Sequence, residues 1–519
     1  MAEQKKEQQE IMNLCEASQY IRVSEKTLGE MARQNRIPCN KVGREWRFLK
    51  SALEDWLTGI QNTENSNNRV NVQFQNRKSG QLTLFEEAGF RDTAFTQNRK
   101  EPVHRWAPWI AGFSSSFVSG VFESLLEEKQ KNITVLDPFA GVGTTLIEGI
   151  KFGYNVSGFE INPYAYLACR VKLNCSDYDP DELKRRTDLF AKYLKAKKQG
   201  NKLPVSSIPE GFQSRTAFFS PLVERQVLFT LDFITEQKQE WVKDIFKLAL
   251  GAVMVSFSNY SYEPSLGRRT SSGKSEILDA DVVDIISGKL MQFAQDIVYF
   301  KTAINSFKKT PQMHLFNQSY LEMNGEIKPR SIDILITSPP YLNNYHYLRN
   351  TRPQLYWLGL GLGKEDFKKL EASSFGKYWQ TVRSGPTIEL EFEFKELRRI
   401  IEQLREINPE KGPYGGYGWA NYAATYFNDC AKFLKKTRKI MKRGAPVVVV
   451  IGNNILQGIE IKTEQFFAQI GQELGFDINA IHKVRTKRTG SSIVNSSVRK
   501  GSKTRSVELY ECALDLRLP

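Results

Sequence analysis

Hydrophobic and polar positions divide the 519-residue chain into three stretches. Residues 11–58 are dense in apolar side chains, first at helical spacing and then in alternation, which predicts helix, turn, helix and a short β-wing. Residues 59–100 are rich in Asn, Gln, Arg and Ser, with few large apolar residues outside Leu82-Thr83-Leu84-Phe85, and are expected to be a linker. From residue 101 to the carboxyl end, short apolar runs alternate with helical patterns, as in an α/β sheet domain.

Four of those runs are expected strands that end in polar or glycine-rich turns. Ile133–Leu136 stops at Asp137, Asn155–Phe159 at Glu160, Ile332–Ile336 at Thr337-Ser338, and Val447–Ile451 at Gly452-Asn453-Asn454. If Asp137 and Ser338 end the first and fourth strands of a doubly wound sheet, three βαβ steps need only about 90 residues between them. The real separation is more than twice that, so an insertion is expected within 176–310, holding a helix near Glu240–Val255 and the basic break Gly267–Lys274. A second insertion is expected within 359–425, including the Gly- and aromatic-rich Tyr414–Trp419. Lys432–Arg443 reads as an amphipathic helix that turns Phe433, Leu434 and Ile440 inward.

Composition narrows the classes. A hydrophobic fraction of 40% suits globular folding, and the length asks for two or three domains. A formal charge of +15 points to a polyanionic partner. Six cysteines without a Cys-x-x-Cys pair, and four histidines, argue against a structural metal site, so none is expected. Met1–Glu10 lacks the apolar core of a signal peptide, and no apolar run approaches the ~18 residues that span a bilayer. A cytoplasmic protein with no membrane association is expected.

Two motifs carry chemistry. In Val135–Gly149 a strand breaks into Gly141-x-Gly143 and a helix starts near Thr144. The glycines permit a tight turn and close backbone approach, and the helix dipole faces the crevice. Glu160 stands where a ribose diol would be gripped. On these residues alone a dinucleotide fold meets the same logic. Ser338-Pro339-Pro340-Tyr341 adds a hydroxyl, two stiff carbonyls without a competing N–H, and an aromatic ring. An exocyclic amine on a nucleobase is a poor nucleophile, because its lone pair is delocalised into the ring. The Ser338 hydroxyl and Pro339 carbonyl could hold its hydrogens and localise that pair, while Tyr341 stacks on an extruded base. Transfer would then rest on positioning. Ring-carbon methylation of cytosine needs a nucleophilic cysteine; Pro38-Cys39 lies in the amino-terminal module, which excludes that reading.

Asp137-Pro138-Phe139-x-Gly141-x-Gly143-Thr144-Thr145 resembles the first motif of S-adenosylmethionine-dependent nucleic-acid amino-methyltransferases, and Gly158–Pro163 resembles the second. The resemblance covers about 104–175 and 314–515. It implies a Rossmann-like methyltransferase sheet with helical insertions. It also implies S-adenosyl-L-methionine held by Phe113, Asp137, Phe139, Gly141, Gly143, Thr144, Thr145, Glu160 and Ile161. His104–Phe113 is similar to the segment in which an aromatic closes over the methionine end of the cofactor; simple packing of Phe113 is the alternative. Ser338 in first place of the pocket motif resembles the cytosine-N4 branch, whereas adenine-N6 enzymes more often carry Asp or Asn there. N4 is favoured and N6 stays open. One departure stands out: Phe316–Ser319 lacks the acid that the family commonly places against the cofactor's adenine, leaving Gln318 to contact that ring.

The amino-terminal module resembles excisionase-type winged helix-turn-helix proteins. Ser24 would cap a recognition helix Lys26–Asn35, Lys41–Phe48 would form the wing, and Lys50–Leu57 a closing helix. The resemblance implies double-stranded DNA at Lys26, Arg33, Arg36, Arg44 and Arg47; a protein-docking module of the same fold is the alternative. Lys483–Arg505, including Lys487, Arg488 and Arg499, contains no acid and is expected to track a phosphate backbone. Gln81–Phe85 resembles the peptide by which bacterial proteins dock on the sliding clamp, with a strand pairing on the catalytic domain as the favoured alternative. The combined expectation is a site-specific DNA methyltransferase beside a cognate restriction endonuclease or in phage defence. An RNA base methyltransferase and a catalytically inert DNA-binding regulator are the rivals.

Overall fold

The computed structural model describes residues 11–33, 37, 39–42, 45–50, 53, 90, 93, 95–109, 112–127, 132–262, 265–305, 307, 310–342, 346–361, 363–487 and 508–519. The chain forms two units, Met1–Gln81 and Leu82–Pro519. In the larger unit the apolar runs pair into a seven-stranded sheet. Its strands, in chain order, are β1 (Thr134–Asp137), β2 (Asn155–Phe159), β3 (Met313–Phe316), β4 (Ile334–Thr337), β5 (Pro446–Gly452), β6 (Asp477–Lys487) and β7 (Leu509–Arg517).

Across the sheet the order is β3-β2-β1-β4-β5-β7-β6. The first five are parallel, and β7 runs antiparallel to both β5 and β6. Alternate residues enter two separate cores: Val135, Ile334, Ile336 and Val448 on one face, Leu136, Leu335, Val447 and Val449 on the other. Covering both faces is why these strands read as unbroken apolar runs. Helices Ser115–Leu125, Thr144–Lys151 and Pro163–Leu173 cover the first face, and Gly416–Ile440 and Thr463–Glu473 the second. The chain winds outward from β1 to β3 and returns to β4 beside β1. The crevice at the carboxyl ends of β1 and β4 is therefore a topological switch point, where open α/β sheets place ligands.

Between β2 and β3 lie helices Pro180–Gln199, Pro221–Glu236, Glu240–Val253 and Val282–Ile304, with a small hairpin of Tyr260–Tyr262 and Leu266–Arg268. Between β4 and β5 the added helices include Lys364–Ser373 and Lys395–Arg405. The expected end of this second insertion, residue 425, falls inside helix Gly416–Ile440. Tyr414–Trp419 leads into that helix, whose buried Trp419, Ala420, Ala423 and Phe427 cover the sheet. The segment expected to belong to the second insertion is thus in part a helix packed on the second face.

The expected linker also ends before residue 100. Thr93 and Asn98 are buried and Phe95–Arg99 forms a 3₁₀ turn. Asn98 donates from Nδ2 to the Phe113 carbonyl (3.2 Å) and accepts the Ser115 N–H (2.8 Å). Polar composition misled here because the polar side chains satisfy buried backbone groups.

In the smaller unit, helices Leu14–Ile21 and Glu25–Arg33 precede antiparallel strands Asn40–Val42 and Glu45–Leu49. Ile11–Met12 adds a third strand that the sequence pattern did not announce, being too short to show a period. Ser24 Oγ accepts the Thr27 N–H (3.1 Å), and Ala17, Leu28, Ala32, Phe48 and Leu53 form the core. Of the expected closing helix, Lys50 and Leu53 are described and helical.

One buried acid anchors the approach to β1. Asp296, on helix Val282–Ile304, accepts hydrogen bonds from Val103 N (2.9 Å), Arg105 Nε (3.0 Å) and Nη2 (2.6 Å), and Trp106 Nε1 (2.9 Å). Removing it strands a guanidinium and an indole N–H together. Asp296→Ala is expected to destabilise the larger unit by about 3 kcal/mol, read as a lower urea midpoint for its unfolding; an unchanged midpoint contradicts the anchor role.

Candidate active site

The site begins where β1 and β4 end side by side. Asp137 Oδ1 accepts the Phe139 N–H (3.0 Å) and the Thr337 hydroxyl (2.6 Å), so one carboxyl joins two loops far apart in the chain. Burial pushes the Asp137 carboxyl up to about 6, against the pull of those donors. At the end of β2, Glu160 accepts Gly141 N–H on Oε2 and Asn162 N–H on Oε1, both at 2.7 Å. Burial lifts Glu160 to about 7, opposed by those N–H groups and reinforced by Asp137. The Ile161 N–H also bonds to this carboxylate, which leaves about one of its four acceptor positions open. Asn162 caps helix Pro163–Leu173 and donates to Thr351 Oγ1 (2.9 Å), reaching the segment after β4.

Beneath the glycine turn, Lys172 is buried and donates to the carbonyls of Val142 (3.1 Å) and His104 (3.3 Å). Burial lowers its ammonium to about 7. Gly141 has φ +52°, and an added Cβ would stand 3.2 Å from Trp109 Nε1, so the indole lies directly over it.

The loops open into one cleft, lined on both sides by residues from separate segments of the chain. Asp137, Phe139, Gly141, Thr144, Glu160 and Ile161 line one part; Ser338, Pro340 and Tyr341 line another; Phe113 contributes a wall while packing on Phe117. Three expected residues do not line it. Gly143 (φ +88°) is the residue before helix Thr144–Lys151, packed against Cys169. Thr145 is fully buried, its hydroxyl bonded to the Asp137 carboxyl and 3.4 Å from the Ile336 carbonyl. Pro339 is buried. Gln318 does line the cleft, with its amide nitrogen on Glu326.

Several lining residues were not foreseen. Trp109 stacks on Tyr347 with ring centroids 5.7 Å apart, and Tyr378 stacks on His346. Burial and nearby Arg349 lower His346 to about 4, keeping its ring neutral. Tyr422 and Tyr426 complete the aromatic wall. Their spacing of four residues places them on one helix face, the signal that could have revealed them. The others depend on contacts between distant segments.

Of the residues expected to meet DNA, Lys26 is exposed on helix Glu25–Arg33, which ends at Arg33. Arg47 lies in strand Glu45–Leu49 and donates to the Trp46 carbonyl (3.3 Å). Lys487 ends β6. Arg36, Arg44, Arg488, Arg499 and Gln81–Phe85 lie outside the described residues. Among the described residues, no cluster of His, Cys, Asp or Glu could hold a metal ion, and no helix is long and apolar enough to cross a membrane.

A cleft with buried acids at one end and a hydroxyl among aromatic rings at the other can seat a polar nucleoside and a flat base together. The chain is similar to Type II methyltransferases. M.AvaI of Nostoc sp. is 24% identical over 468 residues, which covers 87% of this chain and 94% of that protein. M.BsoBI of Geobacillus stearothermophilus is 24% identical over 459 residues, 80% of this chain and 87% of that protein. M.MvaI of Kocuria varians is 22% identical over 409 residues, 74% and 83% respectively. Residues 11–60 match the helix-turn-helix domain family.

The glycine turn generates a test of packing against ligand contact. A Cβ at Gly143 would lie 2.8 Å from Cys169 Sγ on a left-handed backbone. Gly143→Ala is expected to cost about 1–3 kcal/mol of stability, measured by denaturant melts without ligand. A variant as stable as the parent would show that the glycine serves the ligand instead.

Proposed function

We propose that the chain is a site-specific DNA methyltransferase that transfers the methyl group of S-adenosyl-L-methionine to the exocyclic N4 amine of a flipped cytosine. The observation that carries this reading is the common cleft: the Pro138–Val142 loop and Ser338–Tyr341 open into the same space, joined at their roots by Asp137 and Thr337. Similarity to Type II methyltransferases over most of the chain supports the reaction class. The helix-turn-helix match favours duplex DNA over RNA, and the charge of +15 suits a polyanionic partner of either kind. Modification in partnership with a restriction endonuclease is the setting that the relatives' Type II name suggests.

The residues present fit the cofactor. Glu160 presents a buried carboxylate at the cleft wall and would hold the ribose diol, with Ile161 and Phe139 beside it. Trp109 and Phe113 close the cleft near Gly141 and would exclude water. When bound, S-adenosyl-L-methionine supplies an electrophilic methyl group. Ser338 then accepts a hydrogen of the target amine and orients its lone pair, while the surrounding rings of Tyr341, Tyr378 and Tyr422 hold the base by stacking. We assign DNA contact to Lys26, Arg33 and Arg47 of the amino-terminal unit and to Lys487, and target recognition to the insertion between β2 and β3.

Sequencing that separates N4-methylcytosine from N6-methyladenine, applied to DNA from cells expressing the protein, tests the assignment. N4-methylcytosine in one sequence context is expected. N6-methyladenine would keep the chemistry and overturn the base, and unmodified DNA would overturn the proposal. Ser338→Ala should lower single-turnover methylation by about 100-fold or more with cofactor affinity retained.

Cofactor affinity should also follow Glu160. With its carboxyl at about 7, the free protein is protonated below and ionised above that pH. The ionised form is the better acceptor for the diol, so affinity should tighten by about three- to tenfold from pH 6 to 8. Calorimetric titration with S-adenosyl-L-methionine should show this rise in the parent and lose it in Glu160→Gln; a flat parent profile counts against the diol assignment.

A further inference from the structure

Behind the Ser338 loop lies a hydrogen-bond chain that the methyltransferase reading does not use. Ser338 Oγ donates to Tyr341 Oη at 3.5 Å. The Tyr341 hydroxyl also bonds to the side chain of Glu511, whose negative charge, after burial itself, holds the phenol well above its usual range. Glu511 is 7% exposed on β7, and its Oε2 accepts the buried Thr93 hydroxyl at 3.0 Å. The sheet builds this meeting. Glu511 stands opposite Gly452 in the β5–β7 register, and a Cβ at Gly452 would lie 3.3 Å from the Tyr341 ring. Glycine at that point lets the ring lie against the strand and reach across to the acid.

The chain has only one consistent polarity. A carboxylate accepts and cannot donate, so Tyr341 spends its single hydrogen on Glu511. The Tyr341 oxygen is then left to accept from Ser338. With the Ser338 hydrogen committed inward, the hydroxyl faces the cleft with lone pairs alone. Such a group binds an amine, which donates, and repels a ring carbonyl, which also accepts.

We propose that Glu511 is a positioning residue that acts through Tyr341 to fix Ser338 as a hydrogen-bond acceptor, so that the cleft selects amino-bearing over keto-bearing bases. This rests on the methyltransferase reading and adds to it the source of the chemical selection. It also explains why a tyrosine hydroxyl is present where stacking alone would be served by phenylalanine.

The test uses the full-length protein and single-turnover transfer of labelled methyl from S-adenosyl-L-methionine to unmethylated plasmid DNA, with cofactor and DNA affinities measured separately. Tyr341→Phe, which keeps the ring, and Glu511→Leu should each slow the transfer step about 10- to 100-fold while both affinities stay within about threefold. Glu511→Gln, which still accepts from tyrosine, should slow it less than Glu511→Leu. In the Tyr341→Phe background, Glu511→Leu should add less than a twofold further loss, because the chain is already broken. Multiplying losses in the double variant, or Tyr341→Phe at the parental rate, would overturn the inference, and the latter remains decisive if Glu511→Leu fails to fold. A parent protein that methylates no DNA defeats the underlying reading instead, a result distinct from active parent and active variants.

Discussion

The parallel pairing of β1 with β4, sealed by the Thr337 hydroxyl on the Asp137 carboxyl, is the constraint on which the site depends. Neither loop makes a cleft alone. Their strands are adjacent because the chain winds out through β2 and β3 and returns, and two opposed apolar cores hold that arrangement. The bond also keeps a carboxyl buried at cost. Asp137 is pushed up towards neutrality by its surroundings and drawn back by its donors. A buried polar group of this kind is tolerated where its partners are complete.

Around that junction, polar side chains place the aromatic walls. Asp296 gathers Val103, Arg105 and Trp106 onto an inserted helix and so delivers Trp109 and Phe113 towards the glycine turn. Glu148, buried on helix Thr144–Lys151, takes His104 (2.7 Å), Lys151 (2.8 Å) and Ser119 (2.7 Å), joining the same segment to the helix that starts at the turn. The inserted helix Val282–Ile304 thus does more than lengthen the chain: it anchors the segment that carries Trp109 and Phe113 to the cleft wall. On the opposite side, Asn162 and Thr351 connect the β2 turn to the segment carrying Tyr347. The proposed chemistry asks for this rigidity, since an amine and a methyl donor react only when held in line.

Local motifs made much of this legible. Asp137, Gly141, Glu160 and Ser338–Tyr341 stand at the ends of apolar strands, and a strand followed by such a turn has few alternative structures. The amino-terminal helices and wing were readable for the same reason, with Ser24 at its capping position. What escaped was non-local. The polar stretch containing Thr93 and Asn98 looked like linker because composition counts polarity, not whether a partner waits in the core. Gly143 and Thr145 carry the same motif as Gly141 and Thr144 but face Cys169 and the Ile336 carbonyl, a distinction of side-chain direction that spacing does not encode.

The sequence by itself determined four of the seven strands with the turns that end them, the excess length between Asp137 and Ser338, and the two chemistry-bearing loops, because apolar period and turn residues act within a few positions of each other. The tertiary structure alone decided that Trp109, Tyr347, Tyr378, Tyr422 and Tyr426 share one wall, and that Glu511 stands behind Tyr341. Those neighbours come from separate elements, and only the sheet register and the packing of helices on its two faces bring them within bonding distance.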